Sequence, residues 1–355
     1  MNHLVEPIKV LVIDDSAVTR RIISGFFDNQ ENVRIAGLAS SGEEGLAEIE
    51  NCEPDAVTLD LEMPGLSGTE TLKEIRKRWP HLPVIILSAV SEHGARITLE
   101  ALELGANDFI TKPTFSGEKM ALEKMGTTLV QKIIYYAQRS RNKFAGESNL
   151  NDSLGQHQNL DIPLGKLELV VIVQSEGKPT EVVSLLDKIP EDFPTPVVFA
   201  MQMPQAFSKN LVEKIKPLID AAVIEAAAGM RLQAGTIYIA PGHMEAGVSR
   251  TSGGLCMSLE PAFSFDDSFK YIDTFLSSIA TSAFGRVLVV VLEGAGTDGV
   301  DGLLEVVKSG GTILVQTEDS ESIAGTAEAI QSSSVSHHQA PLAAIAGFLI
   351  RHGRA

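Results

Sequence analysis

Cysteine, aromatic residues and positive charge are scarce in this sequence. Its 355 residues include two cysteines and one tryptophan, and the formal net charge at pH 7 is −17. The cysteines, Cys52 and Cys256, lie far apart, which argues against a disulfide or zinc framework and for a reducing compartment. The negative charge argues against a nucleic-acid partner, because phosphate binding needs clustered lysine and arginine.

Long hydrophobic runs are also lacking. No apolar run approaches the roughly 20 residues of a membrane span, and the chain does not open with a charged segment followed by an apolar one. We therefore expect a cytoplasmic protein that is not integral to a membrane. Hydrophobic residues still make up 44% of the chain, and its length suits about two domains with separate cores.

Short apolar runs alternate with segments of helical periodicity in both halves of the chain. This alternation predicts βα repeats, and therefore parallel sheets covered by helices on both faces. The predicted strands of the first half are IKVLVID, VRIAGLA, AVTLD, PVIILSA and DFITK. Those of the second half are LELVVIV, PVVFAM, TIYIAP, RVLVVVL and GTILVQ.

A polar stretch separates the two series. Residues 118–138 have the apolar spacing of an amphipathic helix, whereas residues 139–161 are polar and lack an apolar stripe, which is typical of a linker. We therefore expect a first domain at residues 6–125, a helix and flexible linker at 126–166, and a second domain at 167–350.

Polar residues follow the strands of the first half. Asp14 and Asp15 end the first strand, Asp60 the third, Ser88 the fourth and Lys112 the fifth. Parallel α/β sheets place ligands at these carboxyl ends, and clustered carboxylates need a cation to coexist. Oxygen ligands with room for water suit Mg²⁺. The pattern predicts phosphoryl transfer onto Asp60, although any one of these acids alone would more simply be a helix cap or a turn residue.

This half resembles the receiver domain of bacterial response regulators, a flavodoxin-like fold. The resemblance covers residues 8–113 and rests on VLVIDDSAVTR, VTLDLEMPGLSG, ILSA and DFITKP. It implies phosphorylation of Asp60 by a histidine kinase and a cis bond before Pro113. It also implies a Mg²⁺ site at Asp14, Asp15 and Asp60, contacts of Ser88 and Lys112 with the phosphoryl group, and an aromatic switch at Phe109.

The second half resembles the catalytic domain of the chemotaxis receptor methylesterases, a doubly wound parallel-sheet fold. The resemblance covers roughly residues 167–350. It implies removal of methyl esters from receptor glutamates or deamidation of receptor glutamines, with methyl-accepting chemoreceptors and a chemotaxis-type histidine kinase as partners. The matching segments are VVIVQSEGK, VVFAMQMPQAF, IYIAPGHME, YIDTFLSSIA, VVLEGAGTDG and SGGTILVQTEDS.

The catalytic triad implied by this resemblance is incomplete. The nucleophile falls on Ser175 and the orienting carboxylate on Asp298, but the position of the histidine base is occupied by Gln202. A glutamine amide cannot take up the serine proton at accessible pH. Losing the base of a serine triad costs on the order of 10⁶ in rate in a well-studied hydrolase.

Other positions around the nucleophile also depart from the family pattern. Residues 173–178 read Val-Gln-Ser-Glu-Gly-Lys where the family has Gly-Ala-Ser-Thr-Gly-Gly, so two glycines are lost and Glu176 adds a negative charge. Glu293 replaces a threonine and Ala295 a methionine of Thr-Gly-Met-Gly-x-Asp-Gly, and residues 325–327 replace Gly-Met-Pro. These changes weaken a site that must stabilise an oxyanion.

Two functions remain open from the sequence. The chain is either a phosphorylation-controlled methylesterase or a binding module whose receiver takes up phosphate while its effector does not turn over. We favour the binding module, with Ser175 as a helix N-cap. His243 follows a strand of the second half and is the one histidine placed to serve as a substitute base, although a simple loop histidine is the preferred interpretation.

Overall fold

The chain forms two compact units, Met1–Asn151 and Asp152–Ala355, in a computed structural model. Each unit is built around a parallel sheet. In the part of the chain that is described, no helix is long and apolar enough to cross a membrane. The described residues are 6–112, 119–146, 160, 162, 164–175, 179–242, 244–261, 270–283, 286–294, 296–317 and 326–352.

The first unit is a five-stranded parallel sheet with the order β2-β1-β3-β4-β5. Strands β3 and β4 are buried along their whole length, because helices cover both faces of the sheet. The five strands that we predicted for this half are all present. The elements are β1 Ile8–Ile13, α1 Ala17–Phe27, β2 Val33–Ala39, α2 Gly42–Cys52, β3 Ala56–Asp60, α3 Gly68–Arg78, β4 Val84–Ser88, α4 Glu92–Glu103, β5 Asp108–Thr111 and α5 Lys119–Gly146.

Serine begins each of the first four helices. Ser16, Ser41, Ser67 and Ser91 are the N-cap residues of α1 to α4, and each side chain accepts a hydrogen bond from a backbone N–H of the first turn. The Glu70 carboxylate accepts a hydrogen bond from the Ser67 backbone N–H, which completes a capping box. These caps set where each helix starts after its strand, and so set the shape of the edge where the polar residues gather.

Helix α5 is longer than its apolar pattern indicates. We expected it to end at residue 138, but it continues to Gly146. The polar residues beyond 138 still contact the first unit: Arg141 pairs with Asp55 at 2.8 Å and donates to the Glu6 carbonyl, and the Ser140 hydroxyl donates to the His81 carbonyl. Polar anchoring of this kind leaves no apolar stripe in the sequence, which explains why the extension was missed.

The second unit is a seven-stranded parallel sheet with the order β14-β13-β12-β6-β7-β9-β8. The chain enters at the central strand β6 and winds outward in both directions, so the order reverses between β6 and β12. The elements are β6 Leu169–Gln174, α6 Pro179–Leu186, β7 Val197–Met201, α7 Gln205–Ile215, a 3₁₀ turn Lys216–Leu218, β8 Ala222–Glu225, β9 Thr236–Ile239, β10 Met244–Thr251, β11 Gly254–Pro261, α8 Tyr271–Ala283, β12 Val287–Val291, α9 Val300–Lys308, β13 Thr312–Gln316, α10 Thr326–Gln331, β14 His338–Ala340 and α11 Leu342–His352.

The predicted α/β architecture is therefore confirmed, and all five strands predicted for the second half are present. Four further strands were missed. The edge strands β8 and β14 are short, and the antiparallel hairpin of β10 and β11 stands outside the main sheet. Its turn residues Ser252 and Gly253 join strands whose outer ends are exposed, so their apolar pattern is weak.

Candidate functional sites

The acidic residues of the first unit converge at the carboxyl edge of its sheet. Asp14 is fully buried after β1, Asp60 is 7% exposed at the end of β3, and Asp15 is exposed. One carboxylate oxygen from each lies within 4.8 Å of the others. The neighbouring positions of β1 and β3 in the sheet therefore bring together side chains that are 46 residues apart in the chain.

Lys112 lies across this acidic cluster. Its Nζ atom is 2.8 Å from Asp14 Oδ2 and 2.6 Å from Asp60 Oδ2. Burial, reinforced by the nearby Asp14, raises the pKa of Asp60 against the opposing effect of Lys112. Burial alone would lower the pKa of Lys112, but attraction by Asp60 and Asp14 outweighs it and raises the pKa. One ammonium group thus faces two buried carboxylates, and the site retains an excess of negative charge.

The residues present fit a Mg²⁺ ion. Asp14, Asp15 and Asp60 supply three oxygen donors, and the exposed position of Asp15 leaves room for the water ligands that Mg²⁺ keeps. The excess negative charge is the condition that a divalent cation relieves. The predicted metal-ligating residues are therefore assembled in the folded chain.

Ser88 also lies at this edge, whereas Phe109 lies inside the adjacent strand, opposite Ile86. Ser88 ends β4 and is 2% exposed, and Phe109 on β5 is 8% exposed. The Lys112 backbone N–H donates to the Ser88 carbonyl at 2.7 Å. This hydrogen bond fixes the positions of Lys112 and Ser88 relative to each other.

Two residues that sequence reasoning missed shape this pocket. Arg20 on α1 donates to the carbonyls of Asp14 and Asp15, at 2.6 and 3.0 Å, and so holds the acidic loop. Gly68 opens α3 so close to β3 that a Cβ atom there would lie 2.1 Å from the Asp60 carbonyl oxygen. The role of Arg20 could have been predicted from an arginine one turn into the helix that follows an acidic pair. The role of Gly68 depends on packing alone and has no such signal in the sequence.

In the second unit, the predicted triad positions follow three neighbouring strands. Ser175 follows β6, Gln202 follows β7, and Asp298 lies in the connection from β12 to α9. Ser175 therefore stands at the switch point of the sheet, where doubly wound folds bind ligands. It is 4% exposed.

Asp298 is committed to the start of α8. Its two carboxylate oxygens accept hydrogen bonds from the backbone N–H groups of Ile272, at 2.8 Å, and Asp273, at 3.1 Å. Asp273 in turn accepts from the Gly302 N–H in the first turn of α9, at 2.7 Å. The two aspartates thus cap each other's helices, an arrangement that suits the positive end of a helix dipole.

The turn that aims Asp298 at α8 depends on Gly299. Its φ of 113° lies in the region that favours glycine, and an added Cβ would lie 2.7 Å from Ile272 Cγ2. Burial, with a smaller contribution from Asp273, raises the pKa of Asp298 to about 6. The carboxylate is therefore both rigidly placed and costly to ionise.

Buried glutamines hold the connection that carries Asp298. The Gln174 side chain, fully buried, donates from Nε2 to the Glu293 carbonyl at 2.9 Å, and Gln316 Oε1 accepts from the Glu293 N–H at 3.2 Å. Within the described chain, Gln174 Oε1 is buried without a hydrogen-bond partner. Two amide side chains thus hold the backbone of Glu293, one at its carbonyl and one at its N–H.

Several sequence predictions lie outside the described residues. The bond before Pro113, the charge of Glu176, the substitution at Ala295 and the substitute base His243 belong to this group. The N-cap interpretation of Ser175 stays a prediction, because residues 176–178, which separate it from the described start of α6 at Pro179, lie outside the described residues. Ser175 directly follows β6.

The fold and these two sites define a two-unit α/β protein: a receiver domain with a gathered acid pocket, followed by a doubly wound domain of the methylesterase type. Family models agree with this division. The response regulator receiver domain matches residues 10–122, and CheB methylesterase matches residues 170–349.

Relatives extend the match to nearly the whole chain. A protein-glutamate methylesterase/protein-glutamine glutaminase of Trichodesmium erythraeum is 34% identical and covers 97% of this chain and 98% of its own length. The Bacillus subtilis enzyme of the same name is 32% identical, over 93% and 94%. The solved CheB methylesterase catalytic domain of Thermotoga maritima has 26% identity and a TM-score of 0.48, covering 53% of this chain and 99% of its own. The chain belongs to the protein-glutamate methylesterase family.

Proposed function

We propose that this protein is a cytoplasmic chemotaxis response regulator that is phosphorylated on Asp60 and whose effector domain has little or no methylesterase turnover. The receiver, at about residues 6–125, exchanges phosphate with a chemotaxis-type histidine kinase. The effector, at 167–350, retains the family scaffold and engages methyl-accepting chemoreceptors as a binding module. The segment 126–166 connects them.

The assembled acid pocket supports the receiver assignment. In the proposed step, an Asp60 carboxylate oxygen forms a bond to phosphorus while the nitrogen–phosphorus bond of a kinase phosphohistidine breaks. Lys112 Nζ, already 2.6 Å from Asp60, neutralises charge that gathers on the phosphoryl oxygens, and Ser88 offers a hydroxyl donor. Bound Mg²⁺, held by Asp14, Asp15 and Asp60, would supply further positive charge at that point.

Gln202 carries the proposal that ester hydrolysis is lost. Attack by Ser175 needs a group that takes its proton, and an amide side chain has no basic nitrogen at accessible pH. Both Asp298 oxygens accept one backbone N–H at the start of α8, and each keeps a further lone pair that could orient a base. The group that is lacking is therefore the base itself. What a serine hydrolase retains without its base is roughly 10³–10⁴ over water.

Family membership favours the alternative, an active methylesterase. On this view the 4% exposure of Ser175 reflects a covered site that phosphorylation of Asp60 opens. The two functions agree on the receiver and differ only on whether Ser175 reacts.

Two measurements test the proposal. With Mg²⁺ and a small phosphodonor, the protein should gain a base-labile acyl phosphate that Asp60→Asn abolishes; equal labelling of both proteins would overturn the receiver assignment. With methylated receptors, the phosphorylated protein should release methanol no faster than Ser175→Ala. Release that Ser175→Ala abolishes would establish the active esterase instead.

A further inference from the structure

The Ser88 hydroxyl has a buried partner on the neighbouring helix. Thr98, fully buried on α4, places its Oγ1 atom 2.6 Å from Ser88 Oγ. The same Oγ1 lies 2.7 Å from the carbonyl oxygen of Gly94, one turn earlier in α4. Ser88 Oγ also lies 3.2 Å from the Ala89 carbonyl and 3.5 Å from that of Gly94, which are the longer contacts of the group.

The Thr98 hydroxyl is placed to donate to two oxygens, Ser88 Oγ at 2.6 Å and the Gly94 carbonyl at 2.7 Å. Donation to a carbonyl one turn earlier is common for threonine within a helix, and the single hydroxyl proton is shared between the two acceptors. Ser88 in turn is placed to donate to the Ala89 and Gly94 carbonyls. The Ser88 hydroxyl is therefore held against α4 by Thr98 on one side and by backbone carbonyls on the other.

We propose that Thr98 is a positioning residue for phosphorylation at Asp60, acting by holding the Ser88 hydroxyl toward α4 in the unphosphorylated protein. The inference rests on the proposed function, in which Ser88 donates to a phosphoryl oxygen. The Ser88 hydroxyl then has two competing orientations, one beside Thr98 and one toward the phosphoryl group. Phosphorylation breaks the contact between Ser88 and Thr98, and Thr98 stays satisfied by the Gly94 carbonyl.

The start of α4 is closely packed, so a change at Ser88 affects its contacts. A Cβ atom on Gly94 would lie 2.4 Å from the Ala89 carbonyl oxygen, and the Gly94 N–H donates to the N-cap Ser91 at 2.8 Å. The segment from Ser88 to the first turn of α4 therefore has little free space. Release of the hydroxyl contact acts directly on the packing of α4 against β4.

Thr98→Val tests the contact in the full-length protein. Valine keeps a similar shape and removes the donor, so Ser88 is released. With Mg²⁺ and a small phosphodonor, the initial rate of Asp60 labelling should rise about two- to tenfold, the size expected for one neutral hydrogen bond. The matched control Thr98→Ser keeps the hydroxyl and should label within twofold of the parent, as a rough limit on the same grounds.

A second background separates positioning from general packing. In Ser88→Ala, adding Thr98→Val should change the labelling rate no further, because the hydroxyl through which Thr98 acts is gone. An unchanged or slower rate for Thr98→Val alone, or equal acceleration in both backgrounds, would overturn the inference. If Thr98→Val does not fold, as judged by circular dichroism, Thr98→Ala carries the same expectation.

Failure of the proposed function gives a different result. In that case Asp60→Asn labels as well as the parent, whatever happens at Thr98. Affinity for beryllofluoride with Mg²⁺, a non-covalent phosphoryl mimic, tests the contact between Ser88 and Thr98 without phosphate transfer. Tighter binding by Thr98→Val than by Thr98→Ser supports the inference, and equal or weaker binding refutes it.

Discussion

The two units place their polar residues at the same edge of the same kind of sheet, but these residues have different binding partners. In the first unit, Asp14 and Asp60 share the ammonium of Lys112 at 2.8 and 2.6 Å. In the second, Gln174 clamps a backbone peptide and Asp298 caps a helix. The strand ends of a parallel α/β sheet can therefore carry polar groups that bind other side chains in one unit and the backbone in the other.

The difference lies in what each polar group is bound to. Asp60 faces a side chain that can rearrange around an incoming phosphoryl group, whereas Asp298 is bound to backbone N–H groups that cannot leave without unravelling the start of α8. A carboxylate held by its own scaffold stabilises the fold, and a carboxylate held by mobile counter-charge remains available for chemistry. Four substitutions test this contrast.

The largest effect should come from breaking the buried ion pair that anchors α5. Lys132 Nζ lies 2.7 Å from Asp108, a fully buried carboxylate that also receives the Tyr136 hydroxyl. Lys132→Met leaves that charge without its cation, so the free energy of unfolding of the first unit should fall by about 3–5 kcal/mol. Urea denaturation measures it. Lys77→Met, which removes an exposed pair at 3.9 Å, should leave stability nearly unchanged, and equal losses would contradict the expectation.

Removing the ammonium of the acid pocket should slow phosphorylation. Lys112→Met takes away the cation that faces both Asp14 and Asp60, and deleting one preorganised donor from a charged transition state costs about 100-fold or more. The rate of acyl phosphate formation with a small donor and Mg²⁺ measures it. A change of less than about threefold would show that Lys112 is a structural partner, like Asp298 in the second unit.

Asp298 should make the second unit less stable as pH rises. Its folded pKa of about 6 lies above the ordinary 3.8, so the folded state holds the proton more tightly, and stability declines between those two pH values. Asp298→Asn removes this dependence. The stability of the parent relative to Asp298→Asn should therefore fall by about 2 kcal/mol from pH 4 to pH 7.

Only the change of this stability difference with pH is informative. Asparagine cannot reproduce two acceptor oxygens, so the substitution also shifts stability by an amount that does not depend on pH. Thermal unfolding of both proteins across the pH range provides the data. A difference that stays flat would mean that burial does not raise the pKa of Asp298.

The smallest effect should come from placing a histidine at position 202. Gln202→His supplies an imidazole, but Val173 and Lys178 stand where the family resemblance implies glycines around Ser175, and Glu176 adds a negative charge. Losing one donor that stabilises the oxyanion costs about 10²–10³ in rate. We expect methanol release from methylated receptors to stay within about tenfold of the parent. A gain above about 100-fold that Ser175→Ala removes would show that only the base was missing.

Much of the fold followed from local patterns. The buried strands β3, β4, β6 and β12 are continuous apolar runs that the sequence displays directly. The extension of α5 to Gly146 was missed because Arg141 anchors it by charge, and the hairpin was missed because its strands are half exposed. Apolar periodicity predicts the elements that bury an apolar face. It does not predict elements that are held by polar contacts.

The candidate sites were predictable to different degrees. Asp14, Asp60 and Lys112 were found because each directly follows a strand that must reach the same sheet edge. The partner of Ser88, Thr98, was not, because nothing in a helical stretch shows which hydroxyl faces a strand end. The role of Asp298 as a reciprocal cap with Asp273 likewise depends on two helices meeting.

By itself, the order of residues determined which groups stand at the strand ends: carboxylates and a lysine in the first unit, and Ser175 and Gln202 in the second. Tertiary structure alone decided what those groups touch: the lysine between two acids, the hydroxyl against α4, the aspartate on a helix start. The physical reason is that strand and helix periodicities are local properties of the chain, whereas hydrogen-bond partners and desolvation arise only where distant segments pack together.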